Sequence, residues 1–208
     1  MSKLHHPNNY LSSSQFTLWK TSPEEYFQRY IFGKKITSKY MDFGKFVHEE
    51  LEKKKSENET IELIRPLIPE CELNEQKVKA KVGSVPLLGY IDKIDPYQKI
   101  LIDIKTGKNY TQKKADDLEQ LTFYHILIEK KFGWLPVKTY IYWLETADDD
   151  GLYLTGRVEA FKTTRSEAQV KFLKEEIEDV WREIGEGCHK RINDEILGNY
   201  KKKKVIKL

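Results

Sequence analysis

The chain has 208 residues, of which 39% are hydrophobic and 33% charged, and its formal net charge is +3. This length and composition predict one globular domain whose core needs no disulfide or structural metal, and the small net charge by itself indicates no nucleic-acid partner. The two cysteines, Cys71 and Cys188, are too few and too far apart for a disulfide framework or a zinc ribbon, and they indicate a reducing compartment. No apolar run reaches the length of a membrane span and the first residues lack the apolar core of a signal peptide, so we expect a cytoplasmic protein with no membrane partner.

The first part of the chain has the residue spacing of helices. "LSSSQFTLWKTSPEEYFQRYIFG" predicts two short helices, with Ser14 as a cap for the first and Pro23 in the first turn of the second. "DFGKFVHEELEKKK" predicts a third helix that begins near Asp42, and "ETIELIRPLIP" continues helically until its proline.

Further along the chain the apolar pattern changes from helical to strand-like. In chain order we expect three antiparallel strands, a long buried helix that ends at Gly133, two more strands, and an amphipathic helix capped by Ser166. The sequences that carry these elements are QKVKAKVG, VPLLGYIDKID, KILIDIKTG, DDLEQLTFYHILIEKKFG, VKTYIYWLET, GLYLTGRVEAF and SEAQVKFLKEEIEDVWREIGEG. This order predicts an α/β domain in which a central mixed sheet of about five strands is flanked by helices.

We expect residues 1–198 to form a single domain. Its helical N-terminal part would occupy about 10–70, its α/β core about 75–160 and its C-terminal helix about 165–187. Residues 199–208, "NYKKKKVIKL", are predicted to form a basic tail whose lysines are solvated.

The second and third strands bring charged residues together among apolar ones. A hairpin that turns over residues 96–99 pairs Asp95 with Ile100 and, in the same register, Asp92 with Asp103. Side chains opposite each other on antiparallel strands lie roughly 4.5–5.5 Å apart at Cβ, so the two carboxylates repel unless a positive charge lies nearby. Lys105 points to the same face, and a divalent cation balances two acids better than one lysine does. The alternative is a surface strand with solvated charges, or a bulge that separates the two acids.

Three residues on neighbouring helices could join this site. His48 lies on the predicted third helix, after a turn that contains glycine, and Gln120 and Tyr124 lie four apart on the helix that follows the third strand. From the residues alone, a partly buried, hydrogen-bonded histidine is the more common explanation of His48, and ordinary helix-to-sheet packing is the alternative for Gln120 and Tyr124. Glu72 and Glu75 precede the first predicted strand and either could approach the site, but we assign neither of them to it. The other histidines, which are His5, His6, His125 and His189, are expected to be structural or surface residues.

Taken together, these motifs resemble the nuclease domain of the PD-(D/E)xK superfamily, in the branch of RecB- and AddB-type recombination nucleases and their CRISPR-associated relatives. The resemblance covers nearly the whole chain. It is carried, in order, by "LSSSQFTLWKTSPEEYFQRY", "GKFVHEEL", "LLGYIDKID", "LIDIKTGK" and "QLTFY". It implies a restriction-endonuclease-like core and a metal-dependent DNA nuclease, in the manner of an exonuclease acting in DNA repair, recombination or the processing of phage or CRISPR-type DNA.

The resemblance also implies a role for each motif residue. Asp92 and Asp103 would ligate one or two Mg²⁺ or Mn²⁺ ions, with the backbone carbonyl of Ile104 as a further ligand and His48 as a ligand or orienting group. Lys105 would orient or help to deprotonate the attacking water and would neutralise charge in the transition state. Gln120 and Tyr124 would support Lys105 and the nucleic-acid backbone.

The chain also departs from the pattern of this branch. Many members bind an iron–sulfur cluster through four cysteines, but this chain has Ser22-Pro23 where a Cys-Pro pair is common and only two cysteines in all, so we expect no cluster. No phosphate-binding G-x-x-x-x-G-K-[ST] motif occurs, so any helicase or recombination partner would be a separate chain. Two alternatives to the exonuclease stay open. One is a catalytically silent nucleic-acid-binding or scaffold subunit of the same fold, the other is a restriction-type endonuclease, and a homo-oligomer is compatible with each.

Overall fold

The computed structural model describes residues 6–205, and for His189 and residues 191–205 it describes the backbone alone. The expectations for His5, for the side chain of His189 and for residues 206–208 therefore fall outside the described part. The helices are α1 (Ser13–Thr21), α2 (Pro23–Tyr26), α3 (Lys39–Glu52), α4 (Glu59–Ile64), α5 (Gln112–Asp117), α6 (Glu119–Phe132) and α7 (Glu167–Val205). The strands are β1 (Leu73–Val82), β2 (Val85–Asp95), β3 (Ile100–Gly107), β4 (Lys138–Asp148) and β5 (Leu152–Thr163).

Serine side chains set the beginnings of the N-terminal helices. Ser12, rather than the predicted Ser14, caps α1 by accepting the backbone N–H of Gln15, because its own backbone is extended whereas Ser14 already lies inside the helix. Ser22 caps α2, whose first turn contains Pro23 as predicted, and a π-helical turn at Phe27–Ile31 follows. Ser38 caps α3, which therefore begins at Lys39, three residues before the predicted start.

The five strands form one mixed sheet in the order β1-β2-β3-β4-β5. The predicted α/β architecture is thus confirmed. β1, β2 and β3 are antiparallel neighbours, β3 and β4 run parallel, and β4 and β5 are antiparallel. β3 and β4 can run parallel because α5 and α6 form the crossover connection between them.

Helices cover both faces of this sheet and create two apolar cores. The larger core joins α1, α6 and α7 to one face, and the smaller joins α3 and α4 to the other. The larger contains Phe16, Tyr26, Leu87, Ile91, Leu101, Phe123, Ile141 and Ile177, and the smaller contains Val47, Ile61, Ile64, Ile102, Ile104 and Leu144. Residues that alternate along β3 therefore serve opposite faces, as the strand pattern predicts.

The helix predicted over residues 116–133 is broken in the structure. Leu118 has φ −71° and ψ 99°, which is extended backbone and separates α5 from α6. The guanidinium of Arg165 fixes the break, because its Nη2 donates to the carbonyls of Ala115 and Leu118, each at 2.9 Å. The helix still ends at Gly133, which has φ 79°.

The last helix is longer than predicted. Ser166 caps it, as expected, by accepting the N–H of Gln169 at 3.2 Å, but the backbone continues helically to Val205 rather than ending near residue 187. The first part of the predicted basic tail is therefore helical. Among residues 6–205, none of the helices combines the length and the apolar character that a membrane crossing requires.

His125 is buried on α6 and provides a test of the packing between α6 and β4. Its Nε2 lies 2.8 Å from Thr139 Oγ1, and burial, together with the charge of Arg165, lowers its pKa to about 4. In the folded protein His125 therefore takes up a proton only as the pH approaches 4. In the unfolded chain, with a histidine pKa near 6.5, it takes up the proton at a higher pH.

We predict that His125 contributes a stability that is complete above pH 6.5 and is lost as the pH falls towards 4, by about 3 kcal/mol in total. Urea unfolding of wild type and His125→Gln across this range isolates the effect, because all other titrating groups are shared. The stability difference between the two proteins should change with pH, and a constant difference would contradict the buried neutral histidine.

Candidate active site

β2 and β3 separate within the sheet. Their ladder pairs Asp95 with Ile100 and Ile94 with Leu101, as predicted, but it ends at Lys93–Ile102. The predicted pairing of Asp92 with Asp103 is therefore wrong. Instead the Asp92 carboxylate turns into the gap, and its Oδ2 accepts the backbone N–H of Ile104 at 2.5 Å.

The N-terminal segment fills part of the strand edge that β3 leaves. The Leu11 N–H donates to the Pro86 carbonyl at 2.8 Å, and the Leu11 carbonyl accepts the Leu88 N–H at 3.0 Å. Because β1 occupies the other edge of β2 at this point, Leu11 must lie on the β3 side. The strand fork is thus bounded by Leu11 at one end and by the Lys93–Ile102 pair at the other.

A chain of polar contacts leads from the fork into α6. Lys105 Nζ lies 2.9 Å from Asp103 Oδ2 and donates to Gln120 Oε1 at 2.9 Å. Gln120 Nε2 in turn donates to the Tyr124 hydroxyl at 2.6 Å. Asp103 is buried, with 1% of its side chain exposed, whereas Lys105 keeps 30% exposed. The amine is therefore held from two sides, and part of the lysine side chain remains exposed.

A second cluster lies on the other side of Asp92. His48 Nδ1 is 3.4 Å from Glu75 Oε1 and 3.6 Å from Asp92 Oδ1. One ligand atom from each of these three residues lies within 4.8 Å of the other two. The structure thus brings His48 to Asp92 and adds Glu75, which our reading of the sequence left unassigned.

The register of the first hairpin explains the position of Glu75. β1 and β2 are joined by the turn at Gly83 and Ser84, and each pair of the ladder counts back from it, so Glu75 lies opposite Asp92 between the pairs Asn74–Lys93 and Gln76–Ile91. Glu75 itself has φ 44°, which is unusual for a residue with a side chain. Counting from the turn is the signal in the sequence that would have found this residue.

Close packing holds α3 beside the fork. A Cβ atom on Gly44 would lie 3.2 Å from Thr106 Oγ1, so glycine lets the helix approach the end of β3 one turn before His48. At the C-terminal end of α3, Arg65 donates to the carbonyls of Leu51 at 2.5 Å and Glu50 at 3.0 Å. These contacts fix the helix that carries His48.

A second glycine lets α6 approach β2. A Cβ atom on Gly89 would lie 2.5 Å from Leu127 Cδ1 and 3.3 Å from Tyr124 Cε1, so any larger residue would force these side chains to shift. Gly89 therefore places the Gln120–Tyr124 face of α6 above the fork.

The electrostatics of the site are those of acids held close together. Burial and the neighbouring carboxylate of Asp103 raise the pKa of Asp92 to about 7. Burial also opposes the charged forms of His48 and Lys105. The adjacent carboxylates outweigh that effect and raise the pKa of both, Glu75 and Asp92 acting on His48, and Asp103 and Asp92 on Lys105. The site thus has an excess of negative charge that only nearby cations offset.

A cleft of about 840 Å³ opens beside His48, Glu75 and Asp92. Its walls combine apolar, basic and acidic groups, the acidic ones including Glu52 and Glu70, and its volume is that of a small-molecule binding site. The other lining residues include Leu51, Lys53, Lys54, Arg65, Ile68, Cys71 and Lys93.

A family model, described as the PD-(D/E)XK nuclease superfamily, matches residues 52–197, which are 146 of the 208 residues. The chain belongs to this superfamily. The match covers the fork and α6 and begins just after His48. We found no significant match among curated proteins.

Solved structures share the superfamily fold. A protein from Eubacterium rectale, described as a candidate exonuclease, superposes with a TM-score of 0.55 at 12% identity, over 85% of this chain and 80% of its own. A phage-related exonuclease from Haemophilus somnus 129PT superposes with a TM-score of 0.56 at 12% identity, over 83% of each chain. At such identities the likeness establishes the fold.

The superfamily's members use divalent metals, and the donor set here fits such an ion. His48, Glu75 and Asp92 offer two carboxylates and one imidazole, and Asp103 adds a third acid nearby. Hard ions such as Mg²⁺ and Mn²⁺ prefer oxygen ligands, and Mn²⁺ also accepts an imidazole. Burial raises the pKa of Asp92 and the nearby Asp103 carboxylate raises it further, and such a cation would balance the charge of both acids.

We predict that Glu75→Gln weakens Mn²⁺ binding at least about tenfold, because a coordinating carboxylate becomes a neutral amide. Glu72→Gln is the matched control, since Glu72 is an exposed acid three residues earlier and outside the cluster. Calorimetric titration with MnCl₂ measures both variants against wild type. Equal affinities of the two variants would remove Glu75 from the metal site.

Proposed function

We propose that this protein is a metal-dependent DNA nuclease that hydrolyses phosphodiester bonds. The observation that carries the proposal is the fork itself, where Asp92 and Asp103 are buried beside a partly exposed Lys105. In a sheet with a purely structural role, two buried acids beside a broken ladder would lower the stability of the fold, because each carboxylate loses its hydration. A hydrolytic site needs them to hold cations at a phosphate.

The metal would be held by Asp92, His48 and Glu75, with Asp103 and the carbonyl of Ile104 as further ligands, and the ion would be Mg²⁺ or Mn²⁺. When bound, such an ion polarises the phosphoryl oxygen and lowers the pKa of a coordinated water. The Ile104 N–H fixes Asp92 Oδ2, so the other oxygen of that carboxylate, Oδ1, remains directed to His48.

Lys105 supplies a fixed positive charge. Its pKa is raised by Asp103 and Asp92, so the ammonium form dominates at neutral pH and can donate hydrogen bonds to phosphate oxygens or to the attacking water. Asp103 and Gln120 hold Nζ in place, and Tyr124 holds the Gln120 amide. Preorganisation of this kind avoids the cost of ordering a flexible lysine during the reaction.

The exonuclease character is proposed from the two structural neighbours, which are described as exonucleases. The narrower assignment to the RecB- and AddB-type branch, the helicase or recombination partner and the homo-oligomer remain predictions from the sequence. The alternative of a catalytically silent subunit is disfavoured by the assembled contacts of Lys105, because these serve no evident purpose in a binding module.

The decisive experiment compares end-labelled linear DNA with closed circular DNA, single- and double-stranded, in Mg²⁺, Mn²⁺ or EDTA. We predict metal-dependent loss of linear DNA alone, and a reduction of at least about 100-fold for the isosteric Asp103→Asn. The matched control is Asp179→Asn, an exposed acid on α7. Cutting of circles would establish an endonuclease. Equal rates in both variants would sink the assignment of the site.

Lys105→Met tests the role of the amine in cleavage independently of the metal ligands. We predict that it lowers cleavage by about 100-fold or more while Mn²⁺ binds at least as tightly, because a competing cation has been removed. Lys108→Met, an exposed lysine three residues further on, should retain activity. Wild-type cleavage by Lys105→Met would show that its charge has no part in catalysis.

A further inference from the structure

The segment that leads into α3 is exposed to an unusual degree. Residues 32–42 are all exposed, and those before α3 belong to neither helix nor strand. Together with the first turns of α3, they form a surface over residues 32–46 that is absent from the family match, which begins at residue 52.

This 32–46 surface is rich in exposed apolar side chains. Of the twelve exposed large hydrophobic residues in the described chain, five lie within these fifteen positions. A soluble surface that concentrates apolar groups in one place usually binds a partner there. The five are Phe32, Ile36, Tyr40, Met41 and Phe46, with exposures of 38–48%.

The same surface carries a local positive charge. It contains four lysines and one aspartate, which is a net charge of +3, equal to that of the whole chain. Lys45 lies 3.5 Å from Glu49, and Lys39 pairs with Asp148. Within the described residues, no ion pair involves Lys34 or Lys35. Their charges are therefore available to a negatively charged ligand.

The surface is continuous with the fork. Gly44 packs against Thr106 at the end of β3, and His48 follows one turn later on the same helix. The start of α3 is anchored to the β4–β5 hairpin, because Asp148 accepts a hydrogen bond from the Tyr40 hydroxyl at 2.9 Å and pairs with Lys39 at 2.6 Å. The 32–46 surface therefore lies beside the end of β3, on the helix that also carries His48.

We propose that the 32–46 surface binds an unpaired strand of nucleic acid next to the active site, so that the substrate of the proposed nuclease is single-stranded where it enters. The lysines would contact phosphates, and Phe32, Ile36 and Phe46 would contact exposed bases. The statement that the bound strand enters the active site rests on the proposed function. The binding itself does not depend on cleavage.

The combination of groups favours a single strand over other occupants. A duplex presents phosphates outside and keeps its bases stacked within, so it would leave the apolar side chains without a partner. A second copy of the chain placed symmetrically would bring Lys34 and Lys35 of the two copies together, and these lysines, which have no ion pair among the described residues, would repel each other. Unpaired nucleotides offer both the negative charge and the apolar faces.

The test measures binding in EDTA, where metal-dependent cleavage does not occur. Lys35→Glu/Ile36→Ser changes a neighbouring lysine and apolar residue of the surface, and Lys45→Glu/Phe46→Ser is a second, independent variant. The matched control is Lys171→Glu/Phe172→Ser, an exposed lysine and phenylalanine on α7. Fluorescence anisotropy with a labelled single-stranded oligonucleotide and with its blunt duplex gives the affinities.

We expect each surface variant to lose about tenfold or more in affinity for the single strand, with a smaller loss for the duplex and none for the control. An unchanged single-strand affinity in both variants would overturn the proposal, and so would an equal loss for the duplex. A change of oligomeric state in sedimentation would also overturn it, because the surface would then be an interface between copies. If the wild type binds the strand but cuts nothing with metal, the proposed nuclease fails while this surface stands.

Discussion

The hydrogen bond from the Ile104 N–H to the Asp92 carboxylate is the contact on which the site depends. In an unbroken ladder that N–H would donate to a carbonyl of β2, and Asp92 would point to a face of the sheet. Here the carboxylate takes the place of the carbonyl and the strands part, which leaves Asp92 in a buried gap with Asp103 nearby. At the fork, backbone pairing between β2 and β3 is lost and two carboxylates lie close together instead.

The rest of the fold can be understood as support for that gap. α3 approaches from one side through Gly44 and delivers His48, and α6 approaches β2 through Gly89 and delivers Gln120. The break that Arg165 stabilises between α5 and α6 lets α6 start one residue before Gln120, at the level of Lys105. Metal ligands therefore gather on one side of Asp92, and the lysine with its amide support on the other.

Much of this arrangement could be predicted from the sequence, because strand alternation and turn residues are local properties. The hairpin, its Asp95–Ile100 register and the proximity of Lys105 to Asp103 follow from spacing. The fork could not be predicted, since it depends on a side chain replacing a backbone acceptor across two strands. The break at Leu118 was missed for a similar reason, because its stabilising arginine comes from a distant position. Glu75 was missed although the turn at Gly83 allows its position to be counted.

The measurement that tests the account most directly is the anomalous scattering of Mn²⁺ in a crystal of the protein grown with that ion. We predict a peak within bonding distance of His48, Glu75 and Asp92, and loss of that peak in Asp92→Asn. A peak elsewhere, or a site that persists in the variant, would contradict the claim that the strand fork was built to hold a metal.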